Sequence, residues 1–350
     1  MFINANWKEF LSQHNAVFDD NVVDHFNDKA QELNTIQNAT IIADLSHFGI
    51  IKVEGEEAES FLQNQFSNDI RFVNATQSQL SAYCSPKGRM LAGFLIFKFE
   101  NAYFLRLPAS ILETTLKRLR MYVLRSKVTL EDASQQRVRF GIAGPESVAI
   151  LQNEFGNIPS EVNEVVQAAQ ICIIRLPGQP PRFELHGELE SMQKLFEAFS
   201  ALATPVGSHA WSWLAIKAGI PEVYPQTVDN FVPQMVNYAA LNGINFKKGC
   251  YPGQEIVARM HYLGKLKRRM YLLHSDSDKR PSPGDDVFCK SSAESSCGKV
   301  VEAQFSPAGG VDLLVVAQIA KAEAEPMYID SVESSPLQMG ELPYSVTNEA

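Results

Sequence analysis

Apolar and β-branched residues gather in short runs along the chain, bounded by polar turn residues, and such runs predict strands. "TIIADLSHFGIIKVEG" (40–55) reads as two β-branched strands bent at a Ser-His break. "LSAYCS", "MLAGFLIFKFE" and "AYFLRL" follow between 80 and 107, punctuated by "PKGR" and "ENA" turns. "RVRFGIAG", "ICIIRLP" and "RFELHG" are three more. A period near 3.6 marks other stretches. Ala58, Phe61 and Leu62 repeat at helical spacing behind an acidic first turn. Leu112, Leu116, Leu119 and Val123 line one side of a helix whose other side carries Lys117, Arg118 and Arg120. Helical patterns also cover 146–155 and 188–200. In "SHAWSWLAIKAGIP", Ser208 caps a helix, Trp211, Leu214, Ala215 and Ala218 share its face, and Gly219 with Pro221 ends it.

Strand pairs joined by hairpin-like turns, interspersed with helices, predict an α+β class with mainly antiparallel sheets. Residues 1–40 are polar with scattered aromatics and read as a lead segment. Residues 41–264 hold the α+β region. "DSDKRPSPGDD" is a polar loop, and beyond it short strands predict a small all-β module over 265–350.

A chain of 350 residues with 45% hydrophobic content is long enough for two or three cores. No basic leader opens the sequence, and no run of about eighteen apolar residues occurs in it, so we expect neither a signal peptide nor a membrane span. Cys84, Cys172, Cys250, Cys289 and Cys297 are scattered, which suggests reduced thiols in a cytoplasm. Without a C-x-x-C pair or nearby His support, no metal site is expected. The formal charge of −9 argues against direct nucleic-acid binding.

The chemistry concentrates in "FKKGCYPGQE" (246–255). Two ammonium groups, Lys247 and Lys248, would stabilise a Cys250 thiolate. A Cys–His pair would need a base from afar, His209 or His261. The bland alternative is a small buried hydrophobe beside a Pro-Gly bend. Gln254 and Glu255 open a helix, where exposed amides bind anions. Downstream, Arg259, His261, Lys265, Lys267, Arg268 and Arg269 with Tyr262 form a basic run able to touch phosphate and stack a base, or simply a solvated face. Trp211 is core or a stacking surface for a flat heterocycle.

These stretches together resemble the folate-binding YgfZ family, whose hallmark is K-G-C-Y-x-G-Q-E; every fixed position is present, from Lys248, Gly249, Cys250 and Tyr251 to Gly253, Gln254 and Glu255. The resemblance runs from about Ala43 to Arg269, through "ADLSHFGIIKVEGEEAESFLQNQFSNDI", "YCSPKGRMLAGFLIF", "GIAGP" and "WSWLAIKAGIPEVYPQ", with "LPYS" near the end. The family is similar in fold to the glycine-cleavage T-protein, a tetrahydrofolate-dependent aminomethyltransferase. It implies an aminomethyltransferase-like α+β fold of three lobes around a folate opening, two of them within 41–264 and the last a C-terminal β-barrel. It implies tetrahydrofolate or a derivative as cofactor, flanked by Phe48 and Trp211. It implies a role in maintaining iron–sulfur enzymes, including those that methylthiolate tRNA, with Cys250 as the functional thiol and Lys248, Tyr251, Gln254 and Glu255 around it. One departure matters. Leu91 and Ala92 stand where the T-protein has its acidic pair, and Ala82 to Phe99 contains no Asp or Glu. An aminomethyl transfer would lack its general base, so whether the chain is an enzyme stays open at this point.

Overall fold

The computed structural model describes residues 3–168, 170–292 and 295–346. The chain forms two compact units. The first takes the chain up to Leu62, Ile70–Gln79 and Leu95–Leu214; the second takes Gln63–Asp69, Leu80–Phe94 and the chain from Ala215 onward.

The first unit is organised by a six-stranded sheet. Its strands lie in the order Val165–Ala168, Ile171–Leu176, Arg182–Gly187, Val138–Ala143, Ile41–Asp44 and Thr204–Val206. All pairs are antiparallel except the last, where Thr204–Val206 runs parallel to Ile41–Ala43. Alternation gives this sheet two unlike faces. Phe140, Ile142, Phe183 and Leu185 point into an apolar core with Trp7, Phe10 and Leu11 of the helix Ala5–Gln13 and Met192, Phe196 and Phe199 of the helix Leu189–Ser200. The first forty residues thus contribute core side chains. Each such buried side chain contributes roughly 1.5–3 kcal/mol relative to exposure.

The opposite face carries Arg139, Gly141, Arg182, Glu184 and His186, and here the pattern misleads. Polar alternation ordinarily marks a solvated face, yet Arg139, Arg182, Glu184 and His186 are all buried. A second antiparallel group in this unit pairs Phe48–Glu54 with both Ala102–Pro108 and Thr129–Asp132. The strand Met90–Phe99 joins it through Leu95–Phe99. The helix Ala109–Arg120 buries Ile111, Leu112, Leu116 and Leu119.

The second unit ends in the expected all-β module. Six strands lie in the order Met327–Ile329, Asp286–Cys289, Gly298–Phe305, Val311–Gln318, Arg268–Ser275 and Gln338–Met339, all antiparallel, curled into a half-barrel. Its core includes Leu273, Val287, Val300, Leu313 and Val315. One four-residue helix, Ile319–Ala322, interrupts it. The expectation of five reduced thiols is corrected here: Cys289 and Cys297 form a disulfide with Cα atoms 6.0 Å apart. The pairing of Val287 with Gly298 brings the two cysteines together, a relation that their spacing in a Ser-rich loop does not reveal. Cys84, Cys172 and Cys250 are free, and only Cys250 is exposed.

Candidate functional site

Two assemblies stand out, one in each unit. In the first unit, the strand "RFELHG" sends Arg182, Glu184 and His186 to the buried polar face. Opposite them in register lie Ala143, Gly141 and Arg139. Glu184 has no solvent exposure. His186 Nε2 stands 3.0 Å from its Oε1 and Arg106 Nε 3.5 Å from its Oε2. Arg106 is the charge partner, and His186, whose own pKa burial lowers, makes a short but poorly aligned contact, so neither carboxylate oxygen accepts a well-directed hydrogen bond among the described residues. Burial pushes the Glu184 carboxyl up, but Arg106 and His186 outweigh it and hold the pKa at about 2. Glu184 is therefore a buried, ionised acceptor with open lone pairs, and leaving such a group unmatched is costly.

The two residues that the resemblance assigns to a cofactor touch neighbours of this carboxylate. Trp211 lies against Gly141, the residue opposite Glu184, and Arg182 Cζ sits 4.8 Å from the centre of its ring. Phe48 is buried, with Arg106 Cζ 3.8 Å from its ring centre and His47 tilted against it at 4.2 Å. Sequence reading selected Phe48 and Trp211 but missed Glu184, Arg106 and His186. The available signal was the R-x-E-x-H alternation, ionisable on one face over five residues, in a chain whose other strands are largely apolar.

The bend before Phe48 is held from inside. Asp44 accepts from Trp7 Nε1 at 2.7 Å, Ser46 Oγ at 2.9 Å and Ser46 N at 3.1 Å. Arg139 donates to the carbonyls of Leu45 and Phe48. Burial drives Arg139 down to about 10. Burial, with Arg106 and Arg139 nearby, drives His47 down to about 3, so His47 is neutral.

In the second unit, the K-G-C-Y-x-G-Q-E loop alternates between buried and exposed side chains. Lys248 and Tyr251 are buried, while Gly249, Cys250 and Glu255 are exposed. The Lys248 ammonium donates to the carbonyl of Gln63 at 2.6 Å and to that of Phe66, and lies 5.2 Å from the centre of the Tyr251 ring. Burial raises the Tyr251 phenol well above its usual range, keeping it neutral. Two anchored side chains therefore hold the Cys250 thiol out to solvent.

Gly253 closes the loop and caps the helix Gln254–Leu263 with φ +79°. A Cβ there would fall 2.4 Å from the Ser85 carbonyl oxygen and 2.6 Å from Gly88 Cα, so only glycine fits. Gln254 reaches back to the Lys248 carbonyl at 3.4 Å.

The remaining sequence candidates scatter. His261 stacks on Phe246, centroids 3.7 Å apart and planes 8° from parallel. His209 belongs to the first unit, with Nδ1 3.1 Å from the Asp24 carbonyl. The 259–269 basic run divides between the helix Gln254–Leu263, a short connection and the strand Arg268–Ser275 rather than forming one face. Leu91 and Ala92 are buried on the strand Met90–Phe99. Among the described residues, no helix is long and apolar enough to cross a membrane.

Comparison with known proteins agrees with this architecture. Residues 5–177 match the family model described as the GCVT N-terminal domain. Over 256 residues, 73% of this chain and 78% of the relative, the sequence is 34% identical to the tRNA-modifying protein YgfZ of Colwellia psychrerythraea. The aminomethyltransferase T of the glycine cleavage system from Bartonella henselae superposes with a TM-score of 0.76 over 96% of each chain. Its sequence identity is 17%, so that likeness concerns the fold alone.

Proposed function

For a chain that belongs to the family of the tRNA-modifying protein YgfZ, we propose a folate-binding protein that supports assembly or repair of iron–sulfur enzymes, among them those that methylthiolate tRNA. The reading places it in the cytoplasm with those enzymes as partners. The observation that carries it is the conjunction of an ionised, buried Glu184 whose lone pairs are not filled by well-directed donors with an exposed Cys250 held between two buried anchors.

The first unit suits tetrahydrofolate or a derivative. A pterin offers adjacent N–H groups along one edge, and a carboxylate with open lone pairs accepts them as a pair. Glu184 would take that edge, with Trp211 and Phe48 as the flat walls beside it. Arg106 and His186 keep Glu184 ionised, and Arg139 with Asp44 fixes the backbone from which Phe48 projects. Bound folate supplies a one-carbon unit at a defined oxidation level.

Cys250 acts on the partner side of this function. One thiolate does not store a cluster, since stable sites use about four ligands, so its task is contact or transfer with a partner protein. A straightforward aminomethyl transferase is disfavoured, because no carboxylate lies between Ala82 and Phe99 to serve as base. The test is complementation of a strain lacking the protein, read as methylthiolated nucleoside in its tRNA. The wild-type chain should restore the modification and Cys250→Ala should not; restoration by Cys250→Ala at the wild-type level rejects the thiol's role.

A further inference from the structure

The second unit contains a cavity of about 730 Å³ that the folate reading does not use. Its volume is in the range of small-molecule sites, roughly 300–1,000 Å³. Gln234 and Asn237 line it, and both are more than nine-tenths buried. Their amide orientations follow from their donors. Gln234 Nε2 donates to the Val257 carbonyl at 2.6 Å, and Asn237 Nδ2 to the Met270 carbonyl at 3.1 Å. Gln234 Oε1 and Asn237 Oδ1 are thereby left as buried acceptors without a hydrogen bond among the described residues. Two such acceptors call for a ligand rich in N–H donors.

The rest of the lining specifies more. The parallel stack of Phe246 and His261 gives one wall a flat aromatic surface. Lys265 and Arg269 add positive charge. Arg269 is held by Glu323 at 3.0 Å, whereas Lys265 is exposed and makes no ion pair among the described residues. Buried acceptors, a stacking wall and an accessible ammonium match, in that order, an amino-bearing base, its ring face and a phosphate.

We infer that this cavity binds a nucleoside monophosphate with an amino-bearing base, its N–H edge on Gln234 and Asn237 and its phosphate at Lys265. Guanine, with three N–H donors, satisfies both acceptors; uracil, with one, leaves an acceptor unmatched. This differs from contact with a nucleic-acid backbone, which the overall acidity of the chain disfavours. The site is independent of the folate reading, since none of its residues belongs to the first unit.

The test is calorimetric titration of the full chain with GMP, UMP and inorganic phosphate, followed by GMP in the presence of saturating 5-formyltetrahydrofolate. GMP should bind saturably and UMP at least about tenfold more weakly, because a buried acceptor stays unmatched. Phosphate alone should give no saturable binding over the same range, and folate should not displace GMP. His261→Ala should weaken GMP at least about fivefold through loss of stacking. Lys265→Ala, an exposed substitution that leaves the fold alone, should weaken both nucleotides and preserve their ratio. Absence of saturable GMP binding, phosphate binding as tightly as GMP, or displacement of GMP by folate would each overturn the assignment.

Discussion

The ring of Trp211 rests on the backbone of Gly141: a Cβ built at Gly141 would fall 2.4 Å from Cη2 and Cζ3 of the indole. Because Gly141 lies opposite Glu184 in the ladder, this close approach seats an aromatic plane beside a buried carboxylate. Gly141→Ala should force the indole away. We expect a loss of about 1–3 kcal/mol in stability, as for other overpacked sites, and weaker folate binding than for an alanine placed elsewhere in the sheet. Chemical denaturation and folate titration of the one variant check both.

Loop anchoring and thiol display should separate cleanly by mutation. Lys248→Met removes an ammonium that holds two backbone carbonyls. Hydrogen bonds to charged groups contribute about 1.5–3 kcal/mol each, so thermal unfolding of this variant should shift markedly downward. Cys250→Ala, at an exposed position, should change stability by no more than about 0.5 kcal/mol. Equal destabilisation by both substitutions would contradict the anchor-and-display arrangement.

A related prediction concerns the cap. Gly253→Ala combines a positive φ with a Cβ against the Ser85 and Gly88 backbone. It should cost more than about 1 kcal/mol and should release the 85–88 turn, read as faster amide exchange there.

Stability should fall on mild acidification. In the unfolded chain His47 takes up a proton near its ordinary 6.5, but in the fold only near pH 3. His186 is lowered in the same sense by burial. Between those limits the unfolded state binds more protons, so stability present above pH 6.5 is lost as pH falls toward 3. Glu184 adds to the loss below its ordinary 4.5, down to about 2. His47→Gln should flatten the upper part of this profile in denaturation curves taken from pH 7 to 4; an unchanged slope would remove His47 from the account.

Much of the frame is legible in the sequence because strand and helix periods are local. "RFELHG" and "ICIIRLP" read as strands and fold as strands; the stretch capped by Ser208 and the one opened by Gln254 and Glu255 read as helices and fold as Ser208–Lys217, with Ser208 inside the first turn, and Gln254–Leu263. The K-G-C-Y-x-G-Q-E segment also singles out Cys250, the free thiol that the fold leaves exposed. What the sequence conceals depends on the meeting of distant segments. The polar side of "RFELHG" looks solvated until the fold buries Arg182, Glu184 and His186. Lys248 reads as a partner for the thiolate, whereas its ammonium bonds carbonyls about 180 residues earlier in the chain. The Cys289–Cys297 bond likewise depends on strand pairing.

The central claim is that Glu184 and Trp211 receive a folate while Cys250 serves a separate step. Calorimetric titration with 5-formyltetrahydrofolate of the wild-type chain, Glu184→Gln, Trp211→Ala and Cys250→Ala tests it most directly. The account predicts saturable binding by the wild type and Cys250→Ala alike. Both first-unit variants should weaken that binding at least about tenfold, since one removes a charged hydrogen-bond acceptor and the other an aromatic stacking surface. Wild-type affinity in Glu184→Gln, or loss of binding in Cys250→Ala, would contradict it.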